Sequence, residues 1–352
     1  MALIVQKFGG SSVADAERVM NVASRVVETV QEGNRVVVVV SAQGDTTDDL
    51  IEKAAEISKN PSKREMDMLL STGEQISISL LAMAIHELGY PAISLTGWQV
   101  GLTTDTSYSN ARISKISADR IKKELEHKNI VVVAGFQGIN KYEDITTLGR
   151  GGSDTSAVAL AAALGADLCE IYTDVDGVYT ADPRIVKNAK KMDVISFDEM
   201  LELASMGANV LHNRSVEMAK KYNVNLCVRS SLNNNEGTVV KEVNNMEKML
   251  VKGVAHDLDV ARISLCDIED KPGVAFKVFS LLAKNGINVD IILQSIGREN
   301  KKDISFTVSK SNMQKAVELL CANKEVIGFE DLKAADSFAK VSIVGAGMVN
   351  NP

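Results

Sequence analysis

The chain has 352 residues, of which 45% are hydrophobic and 24% charged, and this composition is typical of a globular protein with two or three domains. Its net charge of −7 leaves no basic surplus to neutralise phosphates, so we expect no general nucleic-acid binding. No apolar run approaches the ~20 residues that span a bilayer, and the first residues do not resemble a signal peptide. The four cysteines are widely spaced, which predicts neither a zinc site nor a disulfide framework. We therefore expect a cytoplasmic protein without membrane contact.

Short β-branched runs alternate with helical patterns through the first two thirds of the chain. The runs are apolar throughout rather than alternating, so each predicted strand is buried on both faces, as in a parallel sheet. They cover residues 3–7, 36–42, 92–96, 130–135, 168–174 and 224–230. Helical periodicity covers residues 15–33, 64–89 and 196–222 between them. The pattern predicts an α/β fold with an open, mainly parallel sheet covered by helices.

Polar loops rich in glycine follow most of these strands. Ligands bind beyond the carboxyl ends of the strands in open sheets of this kind. The segments that would gather there are KFGGSS (7–12), SAQGDTTDD (41–49), AGFQG (134–138), LGRGGSDTSA (148–157) and TDVDGVYTADPR (173–184). Because these loops would converge on one edge of the sheet, they predict a shared crevice for an anionic ligand.

A different module follows a polar stretch. Residues 231–248 predict a linker with little core, and the order strand, helix, strand, strand, helix over 261–323 predicts a small ferredoxin-like domain. "AKVSI" at 339–343 repeats "ARISL" at 261–265, which predicts the start of a second, incomplete copy that continues into GAGMVNNP at 345–352. The predicted division is therefore 1–232, a linker at 233–248, 249–335 and 336–352.

Several side chains in these loops suit phosphate or carboxylate chemistry. Lys7 ends the first strand beside two glycines and suits nucleotide phosphates, although a solvated lysine is the alternative. Arg150 offers a planar fork for a carboxylate, and Ser153 places a hydroxyl beside it. Asp154 suits the orientation of a cation such as Lys7, or the capping of the helix that follows it. Each of these assignments has an ordinary structural alternative when it is taken alone.

Two further segments carry candidate ligands. Glu74 lies in a long helical pattern, where an exposed glutamate is the default interpretation, but the adjacent Gly73 would allow a ligand to approach closely. Tyr179 and Arg184 in the 173–184 loop could bracket a purine. The DVDG in that loop lacks the spacing and the twelfth-position glutamate of a calcium loop, so no protein metal site is predicted.

The motifs, taken in order, carry a specific resemblance. KFGGSSV, VVSAQGDTTDDL, LLSTGE, GRGGSDTSA, TDVDGVYTADPR and RSS-x-NNNEGT together resemble the aspartokinases, which are members of the amino-acid kinase family. The resemblance covers essentially the whole chain, and the second module resembles the ACT regulatory domains. It implies an amino-acid kinase fold followed by an ACT module. It also implies that Mg-ATP phosphorylates the β-carboxylate of L-aspartate, the first step of lysine, methionine and threonine biosynthesis.

The resemblance also implies a role for each matching residue. Lys7 would contact the ATP phosphates, with Asp154 organising that lysine, and Mg²⁺ would be held largely by phosphates and waters. The aspartate would be bound by Arg150 at its α-carboxylate and by Glu74 at its α-ammonium, with Thr47 and Ser153 completing the pocket. The nucleotide site would also include Phe8, Gly9, Gly10, Ser41, Thr173, Asp174, Tyr179, Asp182 and Arg184. Relatives often carry a lysine where this chain has Asn209.

The ACT resemblance implies regulation by an end product. Asp270, Asn288, Asp290 and Gln294 match effector positions, whereas their spacing alone would favour a polar strand end and a helix cap. Homo-oligomers paired through this region, with lysine or threonine as effector, are the expected partners. The incomplete second copy predicts weak or absent feedback inhibition. Two alternatives to the leading function stay open, namely another amino-acid or carbamate kinase and a non-catalytic amino-acid sensor.

Overall fold

The computed structural model describes residues 1–208, 210–243, 251–295 and 301–345, and these form two compact units. The N-terminal unit holds the described residues of Met1–Val254 and Ile343–Pro352, and the C-terminal unit holds those of Ala255–Ser342. Asn209, residues 244–248 of the predicted linker and residues 346–352 lie outside the described residues.

The N-terminal unit alternates strands and helices. In chain order it contains β1 (Leu3–Phe8), a 3-10 turn (Gly10–Val13), α1 (Ala16–Gln31), β2 (Arg35–Val40), α2 (Thr46–Ile57), α3 (Lys63–Glu87), β3 (Ala92–Leu95), β4 (Leu102–Thr104), β5 (Ile113–Ile116), α4 (Asp119–Glu126), β6 (Ile130–Ala134), β7 (Gln137–Ile139), β8 (Ile145–Thr147), α5 (Gly152–Leu164), β9 (Leu168–Thr173), β10 (Val194–Ser196), α6 (Phe197–Ser205), α7 (Asn213–Tyr222), β11 (Leu226–Ser230) and β12 (Thr238–Lys241).

The central sheet has the strand order β10-β12-β11-β9-β1-β2-β6-β3. From β11 to β3, neighbouring strands pair in parallel. All six predicted strands belong to this parallel part, with ends within two residues of the predicted ones, so the predicted α/β sheet is confirmed. β2 lies next to β1 on one side of that strand, whereas the later strands β9 and β11 lie on its other side. In open α/β sheets such a reversal predicts a ligand crevice at the carboxyl ends of β1 and its neighbours.

The two faces of the sheet are covered by different helices. α1 and α3 pack over one face, where Phe8 and the alternate valines of β2 are fully buried with them. α1 begins at an Asp15 cap whose carboxylate accepts from the N–H of Arg18 at 2.9 Å. α5 packs against β1. Because side chains alternate across a strand, Lys7 points to the α5 face while its neighbour Phe8 enters the opposite core.

A small second sheet precedes α5, with the order β5-β4-β7-β8. Its β7 and β8 form a hairpin after β6 and pair from Gln137 with Thr147 to Ile139 with Ile145. The hairpin leads the chain directly into the glycine turn at 148–152. It therefore determines where α5 begins.

Two expectations for the N-terminal unit are wrong. The predicted linker contains β12, in which Thr238 and Val240 are fully buried within the central sheet. TVVK is too short, among polar neighbours, to stand out as a strand. The continuous helical pattern over 196–222 is divided into α6 and α7, because Gly207 adopts φ +115° and His212 caps a new helix.

One described helix, α3, is long and apolar enough to cross a membrane by length and composition alone. It carries the buried Asp67 and Glu74 and packs against α1, β3 and β8. α3 is therefore a core helix of the N-terminal unit.

The remaining elements build the C-terminal unit, apart from the first two residues of β13 and the last two of β16, which belong to the N-terminal unit. They are β13 (Gly253–Glu269), α8 (Val274–Lys284), β14 (Ile292–Gln294), β15 (Lys301–Val308), α9 (Lys310–Ala322), α10 (Lys324–Ile327) and β16 (Asp331–Val344). The sheet order is β14-β15-β13-β16, with α8 and α9 packed on its apolar core. The predicted order of elements is confirmed. The predicted second copy, however, begins inside β16, so the division between 335 and 336 falls within one strand.

Candidate active site

The loop after β1 lies against the loop after β2, backbone to backbone. The N–H of Ser41 donates to the carbonyl of Phe8 at 3.2 Å, and the N–H of Gly44 donates to that of Gly10 at 3.0 Å. A Cβ atom on Gly10 would lie 2.5 Å from the Ala42 carbonyl oxygen. Only glycine fits there, and its use brings Ser41 beside the Phe8–Gly10 turn.

Lys7 and Asp154 form an ion pair at this edge of the sheet. The Lys7 Nζ lies 2.6 Å from Asp154 Oδ1, and the two side chains are 12% and 13% exposed. A Cβ atom on Gly9 would lie 3.6 Å from the same Nζ. The absence of a side chain on Gly9 leaves that side of the ammonium group uncovered, which suits the approach of an anion such as a phosphate.

The glycine turn before α5 presents Arg150. Gly149 and Gly151 adopt φ values of +77° and +69°, and a Cβ atom on Gly151 would lie 2.2 Å from the His212 ring. Arg150 is exposed between them and makes no hydrogen bond or ion pair with any described residue. α5 has Gly151 as its N-cap, without a side-chain cap, so the expectation that Asp154 caps this helix is wrong. The guanidinium is therefore available to a ligand carboxylate.

Ser153 and Thr47 lie in the first turns of α5 and α2. Ser153 is buried against the end of β6, since a Cβ atom on Gly135 would lie 2.7 Å from Ser153 Oγ. Thr47 is half-buried.

Glu74 is buried rather than exposed, contrary to the default expectation for a helix glutamate. Its side chain is 3% exposed, and its Oε1 accepts from the N–H of Ala42 at 3.2 Å. The other oxygen, Oε2, has no partner among the described residues. Burial raises the pKa of this carboxyl to about 8. An orphaned buried oxygen beside the loop after β2 suits a ligand that brings its own donor, such as an ammonium group.

Gly73 has a structural purpose that was not predicted. A Cβ atom there would lie 2.8 Å from the Cβ of Ala42, so the glycine allows α3 to approach the loop after β2. The interpretation that it also admits a ligand stays a prediction. Its effect is to bring Glu74 within reach of that loop.

The 173–184 loop follows β9, and its polar side chains contact one another. Thr173 Oγ1 donates to Asp174 Oδ1 at 3.1 Å, and Tyr179 Oη donates to Asp176 Oδ1 at 2.6 Å. Arg184 is 78% exposed and pairs with Asp182 at 2.9 Å. The bracketing of a purine by Tyr179 and Arg184 stays a prediction.

Two charged residues that support this turn, the buried Asp67 and the half-buried Arg214, were not found from the sequence. Asp67 of α3 and Arg214 of α7 both contact the chain just before Arg150. The spacing of Asp67 from Glu74, seven residues along one helix, is the signal that could have indicated it, because positions seven apart share a helix face.

The comparisons with known proteins agree with this geometry. The profile described as the Amino acid kinase family matches residues 2–230, and the profile described as the ACT domain matches residues 267–323. The aspartokinase of Geobacillus stearothermophilus is 54% identical over 100% of this chain and 86% of its own length. The chain belongs to the aspartokinases of the amino acid kinase family.

Solved aspartokinase structures match across both units. The aspartate kinase from Synechocystis is 48% identical with a TM-score of 0.63, covering 100% of this chain, which spans 61% of that protein's length. E. coli aspartokinase III in complex with aspartate and ADP is 26% identical with a TM-score of 0.79, covering 99% of this chain and 88% of that one. The same enzyme in complex with lysine and aspartate gives a TM-score of 0.75 at 26% identity, covering 97% of this chain and 87% of that one.

The effector positions suggested by the aspartokinase resemblance are spread along the sheet of the C-terminal unit. Asp270 lies beside the start of β15, whereas the N–H of Asp290 donates to the carbonyl of Thr307 near the end of that strand. Asp270 pairs with Lys302 at 2.6 Å, and Asp290 pairs with Lys340 at 2.6 Å. Asn288 and Gln294 are exposed. The two acids are therefore already neutralised by lysines of the same unit, and their role toward an effector stays a prediction.

Proposed function

We propose that the chain transfers the γ-phosphoryl group of ATP to the β-carboxylate of L-aspartate, which yields an acyl phosphate. The observation that carries the proposal is the Lys7–Asp154 ion pair at the glycine turn, in a chain that matches aspartokinases along its whole length. E. coli aspartokinase III is bound to aspartate and ADP, which supports aspartate and an adenine nucleotide as the substrates of this chain.

Phosphoryl transfer needs charge neutralisation and alignment more than covalent chemistry. Lys7 is assigned to the transferring phosphate, with Asp154 holding its ammonium in place. Phe8, Gly9, Gly10 and Ser41 would line the phosphates through their backbone. No group of three His, Cys, Asp or Glu side chains in the described ranges could hold a metal ion, so Mg²⁺ would be bound by the phosphates and waters.

The amino-acid substrate is assigned to the other side of the crevice. Arg150 would bind the α-carboxylate and Glu74 the α-ammonium, with Thr47 and Ser153 beside them. The β-carboxylate is then left facing the phosphates and is itself the nucleophile, so no covalent intermediate on the protein is required.

The remaining assignments concern the nucleotide and the regulator. Thr173, Asp174, Tyr179, Asp182 and Arg184 would hold the nucleoside. The lysine bound to E. coli aspartokinase III supports an amino-acid effector for this chain, bound near Asp270, Asn288, Asp290 and Gln294 in an oligomer paired through the C-terminal unit. The expected location is the cytoplasm.

Both alternatives are less consistent with the site. An N-acylated amino acid or a carbamate has no ammonium group that could bind the buried Glu74 carboxylate. A non-catalytic sensor has no need for an ion pair that orients a lysine toward phosphates. The pair of Glu74 and Arg150 favours a free amino acid instead.

The test is hydroxamate formation from ATP and aspartate, because hydroxylamine traps an acyl phosphate. Aspartate-dependent product is expected, with no product from N-acetylaspartate or carbamate. Binding of aspartate without any product would favour the sensor.

A further inference from the structure

Asp67 lies fully buried in α3, and its carboxylate is satisfied by donors from two distant segments. The N–H of Ser109 donates to Oδ1 at 3.0 Å and to Oδ2 at 2.9 Å. Thr147 donates its N–H to Oδ2 at 2.9 Å and its hydroxyl to Oδ1 at 2.8 Å. No lysine or arginine in the part of the chain that the structure describes pairs with it. A buried carboxylate is costly unless several donors converge on it, so Asp67 holds these two segments together.

The segment held by Thr147 leads directly to Arg150. Thr147 is the last residue of β8, and its carbonyl accepts from the N–H of Ala111 at 2.9 Å. The next residue, Leu148, offers its carbonyl to Arg214 Nη1 at 2.6 Å, and Arg214 Nη2 also donates to the Ala111 carbonyl at 2.9 Å. The chain before the glycine turn is thus fixed by α3 on one side and by α7 on the other.

The second segment carries backbone strain that these contacts maintain. Ser109 adopts φ +67°, a left-handed conformation that is unfavourable for a residue with a side chain. A Cβ atom on Gly149 would lie 3.1 Å from the Ser109 carbonyl oxygen. Release of Ser109 from Asp67 would therefore disturb the turn that presents Arg150.

Asp67 and Glu74 are seven residues apart on the same helix. That spacing is two turns, or about 10 Å along the axis, and places both side chains on one face. α3 therefore carries Glu74, the proposed partner of the substrate ammonium group. Through Asp67 and β8 it also holds Arg150, the proposed partner of the substrate α-carboxylate.

We propose that Asp67 is a positioning residue that sets the separation between Arg150 and Glu74, and thereby selects a substrate with an ammonium and a carboxylate on the same carbon. The proposal rests on the proposed function and adds a specificity determinant to it. Arg214 supports the same turn from α7.

The test compares Asp67→Asn with the parent in the hydroxamate assay. Asparagine keeps the shape but turns an amide N–H₂ toward the donors of Ser109 or Thr147. The KM for aspartate should rise at least tenfold, and the KM for ATP should change less than twofold. β-Alanine, which is aspartate without its α-carboxylate, should keep its inhibition constant as a competitor within twofold, because it does not use Arg150. Glu65→Gln, an exposed change in the first turn of α3, is the matched control and should leave all three values within twofold.

A second comparison shows whether Asp67 acts through Arg150. In an Arg150→Ala background, Asp67→Asn should raise the aspartate KM less than twofold further, since the group that it positions is already gone. The proposal would be overturned if the two substitutions raised the aspartate KM independently, so that their effects multiplied. It would also be overturned if Asp67→Asn weakened the binding of ATP, aspartate and β-alanine equally.

Thr147→Val tests the same proposal if Asp67→Asn does not fold. It removes a single hydroxyl donor, and we expect an aspartate KM about threefold higher with an unchanged β-alanine constant. An unchanged aspartate KM in folded Thr147→Val would overturn the proposal. Absence of aspartate-dependent product in the parent chain would instead refute the proposed function, so the two failures are distinguishable.

Discussion

The burial of Glu74 predicts a pH-dependent affinity for aspartate. Burial raises the pKa of this carboxyl from 4.5 to about 8, so roughly one molecule in ten carries the ionised form at neutral pH without ligand. An ammonium ligand needs that ionised form. Aspartate binding should therefore release about 0.9 proton near pH 7, and its affinity should rise about 25-fold between about pH 6.5 and 8.5.

Calorimetry with aspartate across this range, in two buffers of different ionisation enthalpy, measures both the affinity and the proton release. Burial lowers the pKa of His212 below the ordinary histidine value, which moves its titration away from the upper part of this window. Glu74→Gln is the matched variant, since an amide oxygen can still accept from the N–H of Ala42. It should bind aspartate more weakly, without proton release and without the pH slope.

The same shift has a consequence for stability. A carboxyl with a raised pKa in the folded protein binds a proton more tightly there than in the unfolded chain, so its burial destabilises the fold increasingly as pH rises from 4.5 toward about 8. The melting temperature of Glu74→Gln relative to the parent should therefore increase with pH over this window. An aspartate affinity that does not vary with pH in the parent, or the same slope in both proteins, would refute the reasoning.

Three further predictions concern Lys7, Arg150 and Gly10 of the proposed site. Lys7→Ala should abolish turnover while the aspartate Kd changes only a few-fold, because Lys7 is assigned to the phosphates; turnover comparable with the parent would contradict that role. Arg150→Ala should raise the aspartate KM about 10- to 150-fold, which corresponds to the ~1.5–3 kcal/mol of a hydrogen bond to a charged group. An unchanged aspartate KM would show that Arg150 does not bind the substrate. Gly10→Ala should destabilise the fold by about 1–3 kcal/mol and raise the KM for ATP, because its Cβ would lie 2.5 Å from the Ala42 carbonyl. The exposed neighbour change Ser11→Ala should do neither, and equal urea midpoints for the two variants would show that the loops are not in close contact.

The amino-acid sequence alone determined the six parallel strands of the central sheet and the chemistry of the loops that follow them. Five consecutive valines in β2 are all buried, and an uninterrupted apolar run of that length predicts a strand buried on both faces. The rule that ligands bind at the carboxyl ends of parallel strands then placed the loops at 7–12, 41–49 and 148–157 together. The contact between Lys7 and Asp154 followed from that placement.

Only the tertiary structure decided which helix faces meet which loops. Glu74 looked like a surface residue, because a helical pattern does not show that Gly73 lets α3 approach Ala42. Asp67 was missed because its partner Thr147 is 80 residues away in the chain. β12 was missed because four residues become a strand only when a sheet edge is present to pair with them. Local patterns report which residues favour burial or turns, whereas the partner of a buried polar group is set by long-range packing that no short window of sequence contains.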